Sequence, residues 1–358
     1  MPYNGSGTFN RIYSWVTDAA NGLFVSSTRT DTDTNDIAAG LTNCVTRDGQ
    51  SPATANLPMG GFKLTNLAVG SATTDSARVD NANSYANEFR LTLTSGSPTA
   101  NNVSNATTIY CCPYKGNHIA LYDGTNWHMR TSAEFSLALS GLTANRPYDV
   151  FCYDNSGVPT LEFLIWTSGT ARATALAYQD GVLVKSGDAT RRYLGTFTPN
   201  TNTQVSDTLT RRHLFNYYNR VRKSMNAFVA ATAYTYTTAT WRQAHGGAVE
   251  ELDFTVGVAE DAISAWVSSN AANTSANIEV AVGIAIDSTS VPNVTTPKSF
   301  TQAANIASTL TVSYEYVPSV GIHALVWLEY SAATGTTTWN TTVTTGGITP
   351  SINGAIWC

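Results

Sequence analysis

The fold class follows from stretches such as Glu251-Leu252-Asp253-Phe254-Thr255-Val256-Gly257-Val258, in which polar or small residues alternate with apolar ones. Successive side chains of a β-strand point to opposite faces, so this alternation predicts a strand with one apolar face. Glu251 and Asp253 stand two positions apart and therefore share the other face. A solvated strand face is the simplest interpretation of these two carboxylates.

The same pattern recurs on both sides of this stretch, throughout residues 226–358. Predicted strands lie at residues 234–237, 263–267, 278–286, 310–316 and 322–330. Strands of this kind need a second sheet to cover their apolar faces. We therefore predict a jelly-roll-like β-sandwich domain at 226–358.

Residues 88–225 also combine short strands with turn signals, as in a sandwich or barrel. The segment 119–129 predicts a hairpin, because Asp123-Gly124 is a favoured two-residue turn. Further strands are predicted at residues 107–114, 135–139, 148–154, 161–166, 183–184 and 193–197. We assign this region as a first β-sandwich domain, linked to the next by residues 213–221.

Residues 1–87 differ, because they are rich in Asn, Thr, Asp and Gly and short of long apolar runs. Candidate N-caps at 31–36 precede a predicted helix at 37–45, and a second short helix is predicted at 76–86. The segment 57–67 predicts a strand too short to bury its apolar face alone. The fold class is thus mainly β, with a small extended or helical N-terminal anchor before two jelly-roll-like β-sandwich domains.

The composition excludes several classes of protein. The 358 residues include 20 Lys and Arg against 25 Asp and Glu, a net charge of −5, and 13% of residues are charged. A nucleic-acid binder needs a basic stripe that this chain lacks. No apolar run reaches the roughly 18–20 residues of a membrane-spanning helix. Residues 1–7 show no secretory signal pattern, so we expect synthesis in a cytoplasm and free, mostly buried thiols at the five cysteines.

Side chains with catalytic or metal-binding spacing are scarce. The five histidines show no zinc-site spacing, and neither a phosphate-binding loop nor a nucleophile elbow occurs. We therefore predict no metal, no cofactor and no catalytic residue. An enzyme acting on glycans would need a carboxylate pair, for which Glu251 with Asp253, or Glu329, are the candidates.

Three tryptophans beside small polar residues are candidates for exposure. Trp127 follows the Asp-Gly turn, Trp339 lies between threonines and Asn340, and Trp357 lies near the C-terminus. An aromatic ring stacks on the C–H face of a sugar while amides and hydroxyls bond its polar edges. We therefore predict Trp127, Trp339 and Trp357 as candidate glycan contacts, with burial in a core as the alternative for each.

The most specific motif is Pro58-Met59-Gly60-Gly61-Phe62-Lys63-Leu64-Thr65-Asn66-Leu67, followed by Asp75-Ser76-Ala77-Arg78. Together with residues 1–7, 36–38 and 47–50, this motif resembles the shaft segment of bacteriophage tail fibres and related virion appendages. In that family the segment builds intertwined homotrimers and attaches the fibre to the particle. The resemblance implies that residues 58–67 serve virion attachment and trimerisation.

Later stretches resemble the C-terminal parts of other phage structural proteins, at residues 115–123, 179–185, 191–196, 216–221 and 327–336. The resemblance implies a structural virion fibre whose partners are itself, as a homotrimer, and other virion proteins at the tail or capsid. Its distal β domain is expected to bind a host cell-surface glycan or protein, without nucleic acid and without membrane insertion. Two alternatives stay open: a head fibre or capsid decoration protein without a receptor role, and a virion-associated glycan hydrolase or esterase.

Overall fold

The computed structural model describes residues 11–42, 60–61, 84–228, 233–247, 250–296, 299–300, 303–339 and 349–358. The chain divides into two units, Met1–Ala68 and Val69–Cys358. Two helices lie in the first unit, and all the sheets lie in the second. The predicted fold class is confirmed, since the structure is mainly β with a small helical region before the sheets.

In the first unit, helix α1 spans Trp15–Ala20 and helix α2 spans Ser27–Thr42. An ion pair joins them, because Arg29 of α2 donates to Asp18 of α1 at 3.0 Å. The Oγ of Ser26 accepts a hydrogen bond from the backbone N–H of Arg29 at 3.2 Å. Ser26 therefore caps the start of α2.

The predicted helix at 37–45 is confirmed as far as residue 42, but its predicted start is wrong. Residues 31–36 lie inside α2 instead of capping it, because Ser26 supplies the capping oxygen. Ile37 and Leu41 on the predicted apolar face are 40% and 65% exposed. Helix α1 has no counterpart among the predicted elements.

Most of the predicted attachment segment lies outside the described residues, namely Pro58, Met59 and Phe62 to Leu67. Gly60 and Gly61 form an exposed turn in which both residues have positive φ, of 59° and 87°. Residues 76–83 of the second predicted helix also lie outside the described part, and Ser84 and Tyr85 form a turn.

The first set of strands in the second unit confirms the strands predicted between residues 107 and 197. The predicted hairpin is β4 and β5, joined by a turn in which Asp123 Oδ1 accepts the N–H groups of Thr125 and Asn126, both at 2.7 Å. The strands are β1 (Phe89–Thr92), β2 (Val103–Ala106), β3 (Thr108–Pro113), β4 (His118–Tyr122), β5 (Trp127–Thr131), β6 (Phe135–Ala138), β7 (Tyr148–Asn155), β8 (Val158–Ile165), β9 (Leu176–Gln179), β10 (Val182–Lys185), β11 (Asp188–Phe197), β12 (Val205–Asp207), β13 (Arg211–Arg212) and β14 (Leu214–Asn216).

Two sheets of this set face each other across one core. One has the order β1-β3-β6, and the other has the order β8-β7-β11-β10-β9, with β14 paired to β11. Phe89 and Ile109 from the first sheet pack in the same apolar cluster as Val150, Leu161 and Phe197 from the second. The cluster also buries Cys111 and Cys152, whose burial agrees with the prediction for the thiols.

The second set of strands confirms the alternating segments predicted after residue 226. A short 3₁₀ helix spans Ala244–Gly246. The strands are β15 (Arg222–Phe228), β16 (Tyr234–Thr235), β17 (Arg242–Gln243), β18 (Glu251–Val256), β19 (Ile263–Asn273), β20 (Glu279–Ile286), β21 (Val294–Thr295), β22 (Ser299–Phe300), β23 (Ser308–Tyr316), β24 (Gly321–Ser331), β25 (Thr337–Trp339) and β26 (Ser351–Trp357).

These strands form the two layers of a sandwich. In one layer β24 lies between β18 and β20, and in the other β19 lies between β23 and β26. Phe254 and Trp327 from the first layer share a buried cluster with Val267, Leu310 and Ile352 from the second. The polar side chains that alternate with these residues are thus directed to the outer faces of the sandwich.

One sheet contains strands from both sets. Its order is β2-β12-β13-β18-β24-β20-β21, and the sets join where β13 runs parallel to β18, with Arg211 opposite Asp253. Residues 213–221, predicted to link two domains, contain β14, and Leu214 and Phe215 are buried. Part of that link is therefore core. The predicted division at residue 225 stays a prediction, and both sets belong to the unit Val69–Cys358.

Candidate functional site

Two of the three tryptophans predicted to be exposed are buried. Trp127 lies on the inner face of the β4–β5 hairpin, packs with Ala120 and Val182, and donates from Nε1 to Asp180 Oδ2 at 2.9 Å. Trp339 is fully buried, because it points into the core cluster between the two layers of the sandwich. For Trp127 and Trp339 the alternative of burial in a core therefore holds, and their candidacy as glycan contacts fails because neither ring is open to a ligand in this structure.

Trp357 is exposed, as predicted, and a second exposed tryptophan lies near it. The exposed fractions are 42% for Trp357 in β26 and 44% for Trp266 in β19. Trp266 was absent from the predicted contacts, although a signal was present. Ile263, Ala265 and Val267 are apolar and alternate with it, so Trp266 must face the opposite side of its strand.

We call the outer face of β15, β26, β19 and β23 the aromatic face. Trp266 lies opposite Asn353 of β26 on one side and opposite Ser313 of β23 on the other. Trp357 lies opposite Arg222 of β15. Because Trp357 is four residues beyond Asn353, the two tryptophans are separated by roughly 13 Å along the strand direction.

Hydrogen bonds fix the polar side chains next to the two rings. Asn226 Nδ2 donates to Asn353 Oδ1 at 2.5 Å, and Asn353 Nδ2 donates to Ser351 Oγ at 3.0 Å. Arg222 Nη2 donates to Ser264 Oγ at 3.0 Å. The face thus presents two aromatic surfaces with amide, hydroxyl and guanidinium groups held beside them on the same sheet.

A second surface feature is a cleft at the join between the two sets of strands, which we call the polar cleft. It has a volume of about 520 Å³ and is lined entirely by polar residues, among them Ser104, Asn105 and Thr208. Arg211, Glu251 and Asp253 are its charged residues. The structure therefore confirms that Glu251 and Asp253 share the outer face of β18.

The carboxylates of the polar cleft are both engaged. Asp253 forms an ion pair with Arg211 at 3.3 Å, and Glu251 accepts a hydrogen bond from Gln243 Nε2 at 3.1 Å. Burial raises the pKa of Glu251 above its usual range, and the nearby charge of Asp253 raises it further. Burial also raises the pKa of Asp253, although Arg211 opposes this effect.

Glu329, the other carboxylate predicted as a catalytic candidate, does not reach a surface. It is fully buried and accepts hydrogen bonds from Tyr234 Oη at 2.5 Å and from Arg242 Nε at 2.7 Å. Burial raises its pKa despite these partners. Its carboxylate is a structural group inside the sandwich, and its candidacy as a catalytic residue is wrong for that reason.

No group of three or more His, Cys, Asp or Glu residues in the described part of the chain is arranged to hold a metal ion. Within the same part, no helix combines the length and the apolar character needed to cross a membrane.

Comparisons with known proteins give little guidance. No family model and no curated protein matches the chain. One similar solved structure is the EclA C-terminal domain, a sugar-binding protein, with 17% identity over 31% of this chain and 76% of that one, and a TM-score of 0.20. Another is the insecticidal delta-endotoxin Cry8Ea1 from Bacillus thuringiensis, with 8% identity, 76% and 52% of the two chains covered, and a TM-score of 0.23.

A third similar structure is that of infectious bursal disease virus, Gx strain, with 10% identity over 72% of this chain and 65% of that one, and a TM-score of 0.21. Scores this low do not establish a shared fold. The function has to be inferred from the surfaces of this chain itself.

Proposed function

We propose that this chain is a structural fibre protein of a bacteriophage particle and that it binds a glycan of the host surface through the aromatic face. The observation that carries the binding role is the pair of exposed tryptophans, Trp266 and Trp357, on one sheet face with fixed polar groups beside them. Tryptophan is enriched at binding interfaces relative to the rest of a protein surface.

The geometry suits an extended saccharide chain. Each indole ring offers a flat apolar surface to the C–H face of one sugar unit, and the separation of the rings assigns them to different units. Asn353 and Asn226 lie level with Trp266, and Arg222 reaches from beside Trp357 to Ser264, so these groups can bond sugar hydroxyls next to the rings. A shallow face of this kind gives weak binding at one site, which a trimer multiplies because the later contacts become intramolecular.

The virion role is supported by the resemblance of the segment around residues 58–67 to fibre shafts. A second support comes from helix α2, in which Ile37 and Leu41 expose apolar surface that another chain or a virion protein would cover. The two supports concern the first unit, whereas the glycan role concerns the second, so the two parts of the proposal can be tested separately.

The glycan role is tested by the double variant Trp266→Ala and Trp357→Ala, measured as binding of purified protein to host cells and to their isolated surface polysaccharide. We expect at least a tenfold loss of affinity, because both stacking surfaces are removed. The matched control is Tyr178→Ala in β9, whose side chain is 67% exposed and lies outside the aromatic face. Unchanged binding by a correctly folded double variant, or an equal loss in the Tyr178 control, contradicts the role of the aromatic face.

A further inference from the structure

The polar cleft is built from four adjoining strands of one sheet. Asn105 belongs to β2, Ser206 to β12, Arg211 to β13, and Glu251 and Asp253 to β18. Each strand pairs with the next, so the backbone beneath the cleft is fixed by the sheet ladder. The cleft therefore exists only because strands from the two sequence regions meet.

Its walls are also fixed by side-chain hydrogen bonds. Ser206 Oγ accepts the backbone N–H of Asn105 at 3.0 Å, and Asn200 Nδ2 donates to Asn105 Oδ1 at 3.0 Å. The ion pair between Arg211 and Asp253 holds the charged end in the same way. Groups held like this before a ligand arrives lose little conformational entropy when it binds.

The lining chemistry limits the class of ligand. Among the described residues, no aromatic or aliphatic side chain lines the cleft, so those residues offer no apolar surface for a ligand to bury. Ser104, Thr208 and Thr210 supply hydroxyls, and Asn105 supplies an amide. Such groups match the dense hydroxyls of a sugar, and the volume of about 520 Å³ lies within the range of small-molecule sites.

The charge of the lining sets a further limit. One cation, Arg211, faces two carboxylates, Glu251 and Asp253, which leaves a formal charge of −1 when both carboxylates are ionised. Asp253 Oδ2 pairs with Arg211 Nε at 3.3 Å and offsets part of the positive charge that an acidic sugar would meet. An anionic ligand would bring a like charge next to Glu251, whereas an ammonium group would be attracted there.

We propose that the polar cleft is a second saccharide-binding site, selective for uncharged and amino sugars over acidic ones. It is separate from the aromatic face, because Glu251 and Asp253 point outward from β18 in one layer and Trp266 points outward from β19 in the other. Its charge selectivity does not depend on the fibre role or on the aromatic face.

The test uses the full chain and two matched sugar series, based on glucose and galactose, each with the parent sugar, its 2-amino form and its uronic acid. Binding is measured by saturation-transfer NMR and by calorimetric titration. In at least one series we expect the parent or the amino sugar to bind and the uronic acid to bind at least tenfold more weakly. Absence of binding in both series, or equal binding of the uronic acid, overturns the proposal.

The second arm uses the double variant Glu251→Gln and Asp253→Asn, which keeps the shapes of both side chains and removes their charges. We expect at least a tenfold loss of affinity for the amino sugar and a smaller difference in affinity between the amino sugar and the uronic acid. The matched control is Glu260→Gln in the turn after β18, where the carboxyl is exposed and lies outside both the cleft and the aromatic face. Two results overturn the proposal, because each places sugar binding outside the cleft. One is unchanged sugar binding by the cleft variant, and the other is loss of sugar binding in the Trp266 and Trp357 variant instead.

Discussion

Single buried polar residues connect the two sets of strands. Arg172 donates to Asp149 Oδ2 at 2.7 Å and to the carbonyl oxygen of Gly257 at 2.5 Å, and its guanidinium lies 4.5 Å from the ring centre of Trp166. Burial raises the pKa of Asp149, and Arg172 opposes that effect. Removing either partner leaves a buried charge unpaired, which costs far more than the net value of the pair.

His213 gives a prediction for the pH dependence of stability. It is buried, its Nδ1 lies 3.3 Å from Thr255 Oγ1, and burial lowers its pKa to about 4, with a smaller contribution from Arg211. The unfolded chain takes up this proton at a pH near about 6.5. The unfolded state thus binds more protons between about pH 6.5 and about pH 4, so the folded state loses up to about 3 kcal/mol as the pH falls through that window.

The variant His213→Gln should remove this part of the pH dependence, because it has no titrating ring. Urea unfolding gives the free energy of unfolding of wild type and variant at about pH 7 and about pH 4.5. The effect is the change, between the two pH values, in the difference between the two proteins. If wild type and variant differ in free energy of unfolding by the same amount at both pH values, this pH dependence does not come from His213, whatever the size of that difference.

At the scale of strands, alternation and turn chemistry are local signals, and they predicted the positions of β5 and β18 and the hairpin turn at Asp123. Alternation also placed Glu251 and Asp253 on one face of β18. Alternation does not show which face of a strand packs against the other layer. Trp339 and Trp357 both end a strand, but the pairing of β25 with β16 and β19 places Trp339 on the inner face, in the core cluster, whereas Trp357 faces outward. That pairing joins distant parts of the chain, as does the contact of Arg211 with Asp253, so neither could be predicted from local pattern.

The pairing of β11 with β14 depends on the absence of a side chain at Gly195. A Cβ there would lie 2.2 Å from the carbonyl oxygen of Phe215 and 3.0 Å from Leu91 Cδ1. Beside it, Asn216 Oδ1 of β14 accepts the backbone N–H of Leu91 in β1 at 2.7 Å, and Asn216 Nδ2 donates to the carbonyl oxygen of Leu91 at 3.1 Å. We expect Gly195→Ala to lower the free energy of unfolding by roughly 3 kcal/mol, because the backbone of β14 must move.

Chemical denaturation measures that loss, with Gly169→Ala as the matched control. The nearest atom to a Cβ at Gly169 is Ile322 Cδ1, at an ordinary contact distance of 3.9 Å. The control should stay within about 0.5 kcal/mol of wild type. Equal stability of the two variants would show that the backbone of β14 moves without loss of stability and that the close approach at Gly195 is not a constraint.

At the scale of the whole molecule, the sheets and their buried clusters lie within residues 69–358, whereas the apolar residues Ile37 and Leu41 lie exposed in the first unit. A unit that contains its own core does not need a partner chain to fold. A helix with exposed apolar residues gains stability when another chain covers them. Self-association is therefore expected to depend on residues 1–68.

The corresponding measurement is the mass in solution, by light scattering, of the full chain and of the fragment Val69–Cys358. We expect the full chain near three times 38.2 kDa and the fragment as a folded monomer with the strand content of the parent. A trimeric fragment would show that the sheets of residues 69–358 form the trimer interface, and the aromatic face would then be the first surface to examine. A monomeric full chain would mean that the first unit needs a virion protein before it assembles, because its apolar residues then find no cover in a second copy of the chain.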